Sequence, residues 1–316
     1  MHPIFLCLGV VAIFALAYRF KQRPRYPPGP KGLPIIGNLL DVPREHAWVA
    51  HRDLGRQYDS DILHFEVLGR HIIVLNSFRA AKDLLEKRSE IYSDRQQTVT
   101  IHELTGWDRS WLVMKYGDRW KERRRLFHQH FRAAAVPAYR AQQERGVSVL
   151  LQSLLEAPDA FMKHVHFMAG STILNIVYGF DVRPGDRLIE IVDKAIHTST
   201  EIASAGLSPV DVFPILKYLP AWFPGAGFHG QAARWKLLVD AMYEEPYRAY
   251  QASVKEGIAK PCMLGALLAD MERDKDSGEL DELLMSVTGT AFGAGVDTTA
   301  TALNTFILAM VMFPDA

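Results

Sequence analysis

Residues 289–301 read GTAFGAGVDTTAT, and the interpretation of the whole chain turns on them. Gly289, Gly293 and Gly295 fall inside a segment, residues 280–312, that otherwise predicts one long helix. A glycine in a helix interior costs about 1 kcal/mol relative to alanine, so a compensating role is required. Directly beside them stand Asp297 and Thr298, a carboxyl next to a hydroxyl, where missing side chains leave the backbone most open to a ligand. On a helix the Thr298 hydroxyl reaches the Ala294 carbonyl four residues back, which is expected to loosen that turn and make room for a small molecule or water. Asp297 could then pass protons through ordered water. Two plainer readings stand beside this one. Small residues let another helix approach closely, and Gly293-Ala294-Gly295 could be a phosphate-binding turn. The latter lacks a third glycine, a P-loop lysine and a following acidic residue.

A second constellation lies upstream, at Trp120 and Arg124. Four residues apart on an expected helix, they share one face. Both side chains are donors and neither is an acceptor, so together they suit an anionic group. Arg119, Lys121, Arg123 and Arg125 surround the pair, and on these residues taken alone a solvated basic face is the favoured description.

Outward from these two stretches the helical pattern dominates. It predicts helices over residues 119–132, 139–155, 161–178, 188–205, 229–254, 263–271 and 280–312, separated by Pro158, Pro184-Gly185, Pro209, Pro224-Gly225 and Pro261. Ahead of them, residues 62–68 and 71–75 predict a hairpin turning at Gly69 and Arg70. Ser77 is expected to cap a helix over residues 78–87, and residues 92–114 form a long loop with at most a short helix. The fold class is mainly α with a small β-sheet near the N-terminus.

Residues 4–18 form an uninterrupted apolar run, slightly short of the roughly 20 residues a membrane span needs. No Lys or Arg precedes it, while Arg19, Lys21, Arg23 and Arg25 follow, which favours an N-terminal transmembrane anchor with the downstream chain in the cytosol. Ala15-Leu16-Ala17 also fits a cleavage site, and a core helix is a third reading. The next stretch, YPPGPKGLPIIGN at residues 26–38, cannot be helical and predicts a semi-rigid spacer. The expected division is a membrane anchor with basic flank over residues 1–25, a proline-rich hinge over 26–38 and a globular domain over 39–316.

With 36 basic and 36 acidic residues, the chain carries no charge excess that would attract nucleic acid. Its two cysteines, Cys7 and Cys262, exclude a disulfide framework and a Cys-x-x-Cys metal clip, and the 12 histidines show no H-E-x-x-H pattern.

Taken together, an apolar N-terminal run, the hinge PPGPKGLPIIGN, WKERRR at residues 120–125 and AGVDTT at residues 294–299 resemble the membrane-bound cytochromes P450, the haem-thiolate monooxygenases. WKERRR matches the W-x-x-x-R of the family's third major helix, and AGVDTT matches A-G-x-D/E-T-T on its long central helix. The overall style is similar to fungal members, with secondary metabolism as the implied setting. The resemblance implies a cytochrome P450-like helical fold, a haem b cofactor, and insertion of one oxygen atom of dioxygen into a small apolar substrate. It implies electrons from NADPH through an NADPH-cytochrome reductase, and a single-pass anchor in the lipid of the endoplasmic reticulum. Carried over residue by residue, Trp120 and Arg124 would hold the haem propionates, with Arg123 and Arg125 facing solvent or a reductase. Ala294 and Gly295 would lie against the distal haem face. Thr298 would hydrogen-bond the iron-bound oxygen species, and Asp297 would relay the protons that let the O–O bond cleave. Substrate would be walled by residues 96–114 and 202–227 and by Phe292 and Val296.

The family pattern continues with an E-x-x-R helix and a loop, F-x-x-G-x-R-x-C-x-G, whose cysteine thiolate ligates the iron. The sequence ends at Phe313-Pro314-Asp315-Ala316 without them. No metal ligand is therefore assigned in this chain. The axial cysteine is expected beyond Ala316, and the chain is expected to be a C-terminally truncated portion of such an enzyme. The alternative for the chain as written is a non-catalytic, membrane-tethered helical protein.

Overall fold

The computed structural model describes residues 26–43, 45–206, 208–271 and 277–315. The apolar run over residues 4–18, expected as an anchor, lies outside the described residues. The chain divides into two compact units, one up to Ser93 and one from Asp94 onward.

In the first unit, β1 (Ile62–Val67) and β2 (Arg70–Leu75) form an antiparallel hairpin, preceded by helix α1 (Ala47–Gln57). Val67 pairs with Arg70, so the turn is Leu68-Gly69 rather than the expected Gly69-Arg70. Both turn residues have positive φ, 49° and 78°, the geometry of a tight turn whose twist matches the strands. Leu63, Phe65 and Val67 alternate into the core. A two-stranded hairpin is marginal alone, and the proline-rich stretch supplies a third layer of contact. It is not helical, but it folds onto the hairpin instead of running as a free spacer, through bridges Leu33 to Gly37 and Gly37 to Val67. Asn38 locks it in place. Its Oδ1 accepts from the Glu66 N–H at 2.9 Å, and its Nδ2 donates to the Pro30 carbonyl and to Asp41 Oδ2. Gly37 is required at this junction: its φ is +59°, and a Cβ there would sit 1.9 Å from the Glu66 carbonyl oxygen. Ser77 caps the following turn as expected, its Oγ accepting from the Ala80 N–H at 3.1 Å.

The second unit is helical: α2 (Asp118–Phe131), α3 (Arg140–Glu156), α4 (Phe161–Tyr178), α5 (Arg187–Ala205), α6 (Phe228–Lys255), α7 (Met263–Met271) and α8 (Ser277–Met312), with short single turns between them. Each begins or ends within three residues of its expected boundary. The stops are local. Gly179, at φ 78°, closes α4 in the left-handed conformation that favours glycine, and the Asp186 carboxylate caps α5 by accepting from the Leu188 N–H. Among the described residues the protein is thus mainly helical with one small sheet.

α8 is the organising element, with α4, α6, α2, α7 and α5 packed around it. Leu280, Leu283, Leu284, Val287 and Ala291 recur at helical spacing and are buried. Its last turns differ: Phe306, Leu308, Met310 and Val311 are exposed. Among the described residues, Gly278–Met312 is the one helix long and apolar enough to cross a membrane by length and composition. Burial of its first half among five other helices gives that half its apolar character for a different reason.

Candidate active site

The glycines of α8 are first of all points of helix contact. A Cβ on Gly289 would sit 2.3 Å from Tyr243 Cδ1 on α6, and one on Gly295 would sit 2.6 Å from Ile173 Cγ1 on α4. At Gly293 the nearest atom is the flexible Met242 thioether sulfur, at 3.3 Å. Close approach of α6 and α4 therefore offsets the cost of Gly289 and Gly295.

The Thr298 hydroxyl donates to the Ala294 carbonyl at 2.7 Å, the back-bond its spacing implies. The turn nevertheless stays α-helical, so the expected loosening is not seen. Thr288 and Thr305 make the same bond, to the Leu284 and Thr301 carbonyls, which shows that the bond alone does not mark a site. Position does. Three cavities meet at the turn from Ala294 to Thr298.

The first, about 560 Å³, is apolar and lies between α2, α4 and α8, lined by Phe127, Phe131, Met168, Ile173, Ala294, Gly295 and Thr298. The second, about 260 Å³, is bounded by Trp107, Ser110, Leu112, Ile196, Met242, Ala294, Asp297 and Thr298. The third, about 560 Å³ and more polar, is lined by His166, Glu190, Asp193, Asp297, Thr301 and Asn304. Ala294 and Thr298 thus face both of the first two, while Asp297 faces the second and third. Phe292 and Val296, read from the sequence as substrate contacts, are placed elsewhere. Both are fully buried in the helical core, Phe292 edge-on to Tyr178, because positions two residues from Ala294 and Thr298 point to the opposite side of the helix.

Trp120 and Arg124 share one face of α2, with the Arg124 guanidinium 5.0 Å from the Trp120 ring centre. Arg124 is exposed, and neither side chain has a hydrogen-bond acceptor among the described residues. Phe127 and Phe131 follow Arg124 by three and seven residues, so the donor pair and the aromatic wall of the first cavity lie along the same face. Arg123 departs from its expected solvent-facing place. It is buried, 5% exposed, with Nε donating to Ser286 Oγ at 3.0 Å and a guanidinium N–H donating to the Arg119 carbonyl. It shares the inward face with Leu126, three residues on. Burial, and secondarily Arg119, pushes its pKa below the ordinary arginine value.

The loop that walls the second cavity is pinned by polar contacts the sequence did not announce. The Ser286 hydroxyl donates to the Arg109 carbonyl at 2.6 Å, so Arg123, Ser286 and Arg109 tie α2, α8 and the loop together. The Arg109 guanidinium meets Glu244, Glu282 and Asp240. Burial opposes its charge, but those carboxylates outweigh it and hold its pKa above the usual value. Trp107 Nε1 donates to Thr198 Oγ1 at 3.0 Å, and burial pushes the Tyr243 phenol up to about 12, keeping that wall neutral.

Beside Asp297, His166 of α4 lies between two carboxylates: its Nε2 is 3.5 Å from Asp297 Oδ1 and 3.4 Å from Asp193 Oδ1 of α5. Burial raises the Asp193 pKa, His166 opposes that rise, and the negative Asp297 and Glu190 add to it. Neither His166 nor Asp193 carried a sequence signal.

A sequence model of the cytochrome P450 family matches residues 27–316. The chain belongs to the cytochrome P450 family. It is 39% identical to the cytochrome P450 monooxygenase ple1 of Rhodocybe pseudopiperita, over 98% of this chain and 60% of the relative. It is 38% identical to a cytochrome P450 monooxygenase of Armillaria gallica, over 97% of this chain and 61% of the relative. It is 36% identical to the tryptamine 4-monooxygenase of Psilocybe cyanescens, over 99% of this chain and 62% of the relative. The chain thus spans about 60% of the length of these relatives.

Membership of the cytochrome P450 family implies haem, and the residues present fit part of one. The donor pair on α2 has the chemistry to hold carboxylates, and the apolar cavity floored by Ala294 and Gly295 suits a flat, apolar ring system. An iron ligand is a different matter. Cys262 is the free cysteine among the described residues, and its sulfur accepts from the Gly265 N–H at 3.4 Å. Burial raises its pKa, which favours the thiol over the thiolate that ligates metal.

Proposed function

We propose that the chain forms the oxygen-side and propionate-side part of a haem-dependent monooxygenase acting on a small apolar molecule. The observation that carries this reading is the meeting of three cavities at the turn bearing Ala294, Asp297 and Thr298. When bound, haem would supply the activation of dioxygen by which one oxygen atom enters the substrate and the other leaves as water.

Each residue then has a task set by its place. Trp120 and Arg124 bind the propionate carboxylates, Arg124 by charge-assisted hydrogen bonds. Ala294 and Gly295 keep the oxygen side of the ring clear, since neither carries a side chain beyond Cβ. The Thr298 hydroxyl, anchored as a donor to the Ala294 carbonyl, offers its oxygen lone pairs to a water and can turn to donate in its place. Two protons are consumed per turnover to form the departing water, and Asp297, facing both an inner and an outer cavity, is the group that moves them. Trp107, Leu112, Ile196 and Met242 line the space for an apolar substrate. Electrons come from NADPH through a reductase. The apolar run at residues 4–18 with basic residues behind it supports a single-pass anchor in the endoplasmic reticulum, with the globular part cytosolic.

The test is coupling. In a completed, haem-loaded enzyme that contains this chain together with a cysteine-ligand portion, driven by NADPH and a reductase, Thr298→Ala should keep NADPH consumption while diverting most of it from product to hydrogen peroxide. Tight coupling in that variant would sink the assignment. Failure of the wild-type protein to take up haem would favour the non-catalytic helical protein.

A further inference from the structure

The proline-rich stretch ends in a turn whose residues are costly on a surface that faces water. Leu33 and Gly37 exchange hydrogen bonds, each N–H donating to the other's carbonyl at 2.9 Å, and the Ile36 N–H donates to the Pro34 carbonyl at 2.8 Å. Ile35, at the centre of that turn, has φ +69°. The conformation suits glycine or asparagine and strains a β-branched residue. Ile35 is also 92% exposed, and Leu33, Leu39, Leu40 and, at the start of α1, Trp48 are exposed with it. A medium that takes up apolar side chains explains both features together.

The backbone of the turn is prepared for such a medium. The N–H groups of Leu33, Ile36 and Gly37 are bonded within it, and Pro34 has none. Lipid tolerates backbone only where its polar groups are satisfied internally. A partner strand would need free donors at regular spacing, and this turn spends its own on itself.

The course of the chain supplies the surface. Tyr26 fastens the start of the hinge to the hairpin: its ring stacks on His64 and His71, with ring centres 4.2 and 4.3 Å away. The Pro28 carbonyl accepts from the His64 N–H at 3.0 Å. Tyr26 follows Tyr18, the end of the apolar run, by eight residues, and so lies at most about 29 Å from it. That is about the diameter of a small domain. Tryptophan is at home at the boundary of membrane and water, which suits Trp48. Lys31, exposed two residues before Leu33, suits the phosphate layer.

Resting on the anchor reading given above, we propose that the Leu33–Gly37 turn, with Leu40 and Trp48, is a second membrane contact. Its apolar tip enters the headgroup and upper acyl region of a phospholipid bilayer and holds the first unit against the surface.

Two measurements on the full chain test this. In a chain carrying Cys7→Ala and Cys262→Ala, Ile35→Cys takes a single nitrobenzoxadiazole dye. On phosphatidylcholine vesicles its emission should shift to the blue by about 10 nm and fall about twofold when the lipid bears a nitroxide on its acyl chain. A dye that is neither shifted nor quenched on vesicles overturns the contact. A dye already blue-shifted without vesicles shows that protein covers the turn, and overturns it as well. Adding Leu33→Asp and Leu40→Asp, with the far-UV circular dichroism unchanged, should abolish the quenching. Quenching that persists would mean that the dye itself draws the turn into lipid, which removes the support for the contact.

The second measurement reads the anchor separately. Leu8→Arg with Ala12→Arg puts two charges into the apolar run and should abolish flotation with the vesicles. Equal flotation of this variant and the wild type would strike the anchor reading, while the dye still decides the turn. A wild-type chain that does not float at all fails both.

Discussion

Replacing Gly289 with alanine sets two rules of helix stability against each other. Intrinsic propensity favours the alanine by about 1 kcal/mol. Packing opposes it, because the new methyl would lie 2.3, 2.7 and 3.1 Å from three atoms of the Tyr243 ring. That ring is fully buried, and its hydroxyl shares a hydrogen bond with Thr290 Oγ1 at 3.4 Å, so it cannot simply swing aside. Overpacking of this kind costs about 1–3 kcal/mol, and three contacts with a rigid ring place the case at the upper end. The expected net loss is about 2 kcal/mol. Gly293→Ala is the internal control: its methyl would meet the Met242 sulfur at 3.3 Å and Cε at 3.7 Å, the end of a flexible side chain. The propensity gain then survives, and this variant is expected to match the wild type or exceed it by up to about 1 kcal/mol. Urea unfolding of the two variants, followed by far-UV circular dichroism, measures the difference. Equal midpoints, or a Gly289→Ala protein more stable than the wild type, would refute the claim that close approach of α6 requires this glycine.

Further predictions concern polar groups. Asn38→Ala leaves the Glu66 N–H without its acceptor at a position 2% exposed, and is expected to cost about 2 kcal/mol. Hydrogen exchange at Glu66 should accelerate accordingly, and unchanged protection would contradict the account of the hinge. Asp193 has a pKa raised in the folded chain, so its ionisation opposes folding, and that penalty is present above the folded value and absent below the ordinary value of 3.8. Asp193→Asn is therefore expected to be more stable than the wild type at pH 7, with the difference shrinking as pH falls towards 3.8. Thermal melts across that range decide it, and a difference that grows on acidification would reverse the sign argued here.

Features with a short reach along the chain are legible in the residues themselves. The helix spans follow from apolar spacing and punctuating prolines, the Ser77 cap from one residue and its neighbours, and the Thr298 to Ala294 bond from the i to i−4 geometry of any helix. The hairpin is legible too, but its turn lies one residue from the expected place, because register depends on which residues can adopt positive φ in the pairing that buries Leu63, Phe65 and Val67. The two faces of α2 show the limit of local reading. Spacing puts Trp120 and Arg124 together, but nothing in WKERRR says that Arg123 turns inward to Ser286.

The sequence by itself thus determined the family, the helical class, and the turn from Ala294 to Thr298 as the place of interest, since all three rest on motifs and periodicities within a few residues. Only the tertiary structure decided what surrounds that turn. It assigned Gly289 and Gly295 to the close approach of Tyr243 and Ile173, turned Phe292 and Val296 into the core, and set His166 and Asp193 beside Asp297. Those neighbours come from α4, α5 and α6, distant in the chain. Packing brings them together because the helices must bury apolar faces against α8, and that burial fixes which of their few polar side chains arrive at its edge.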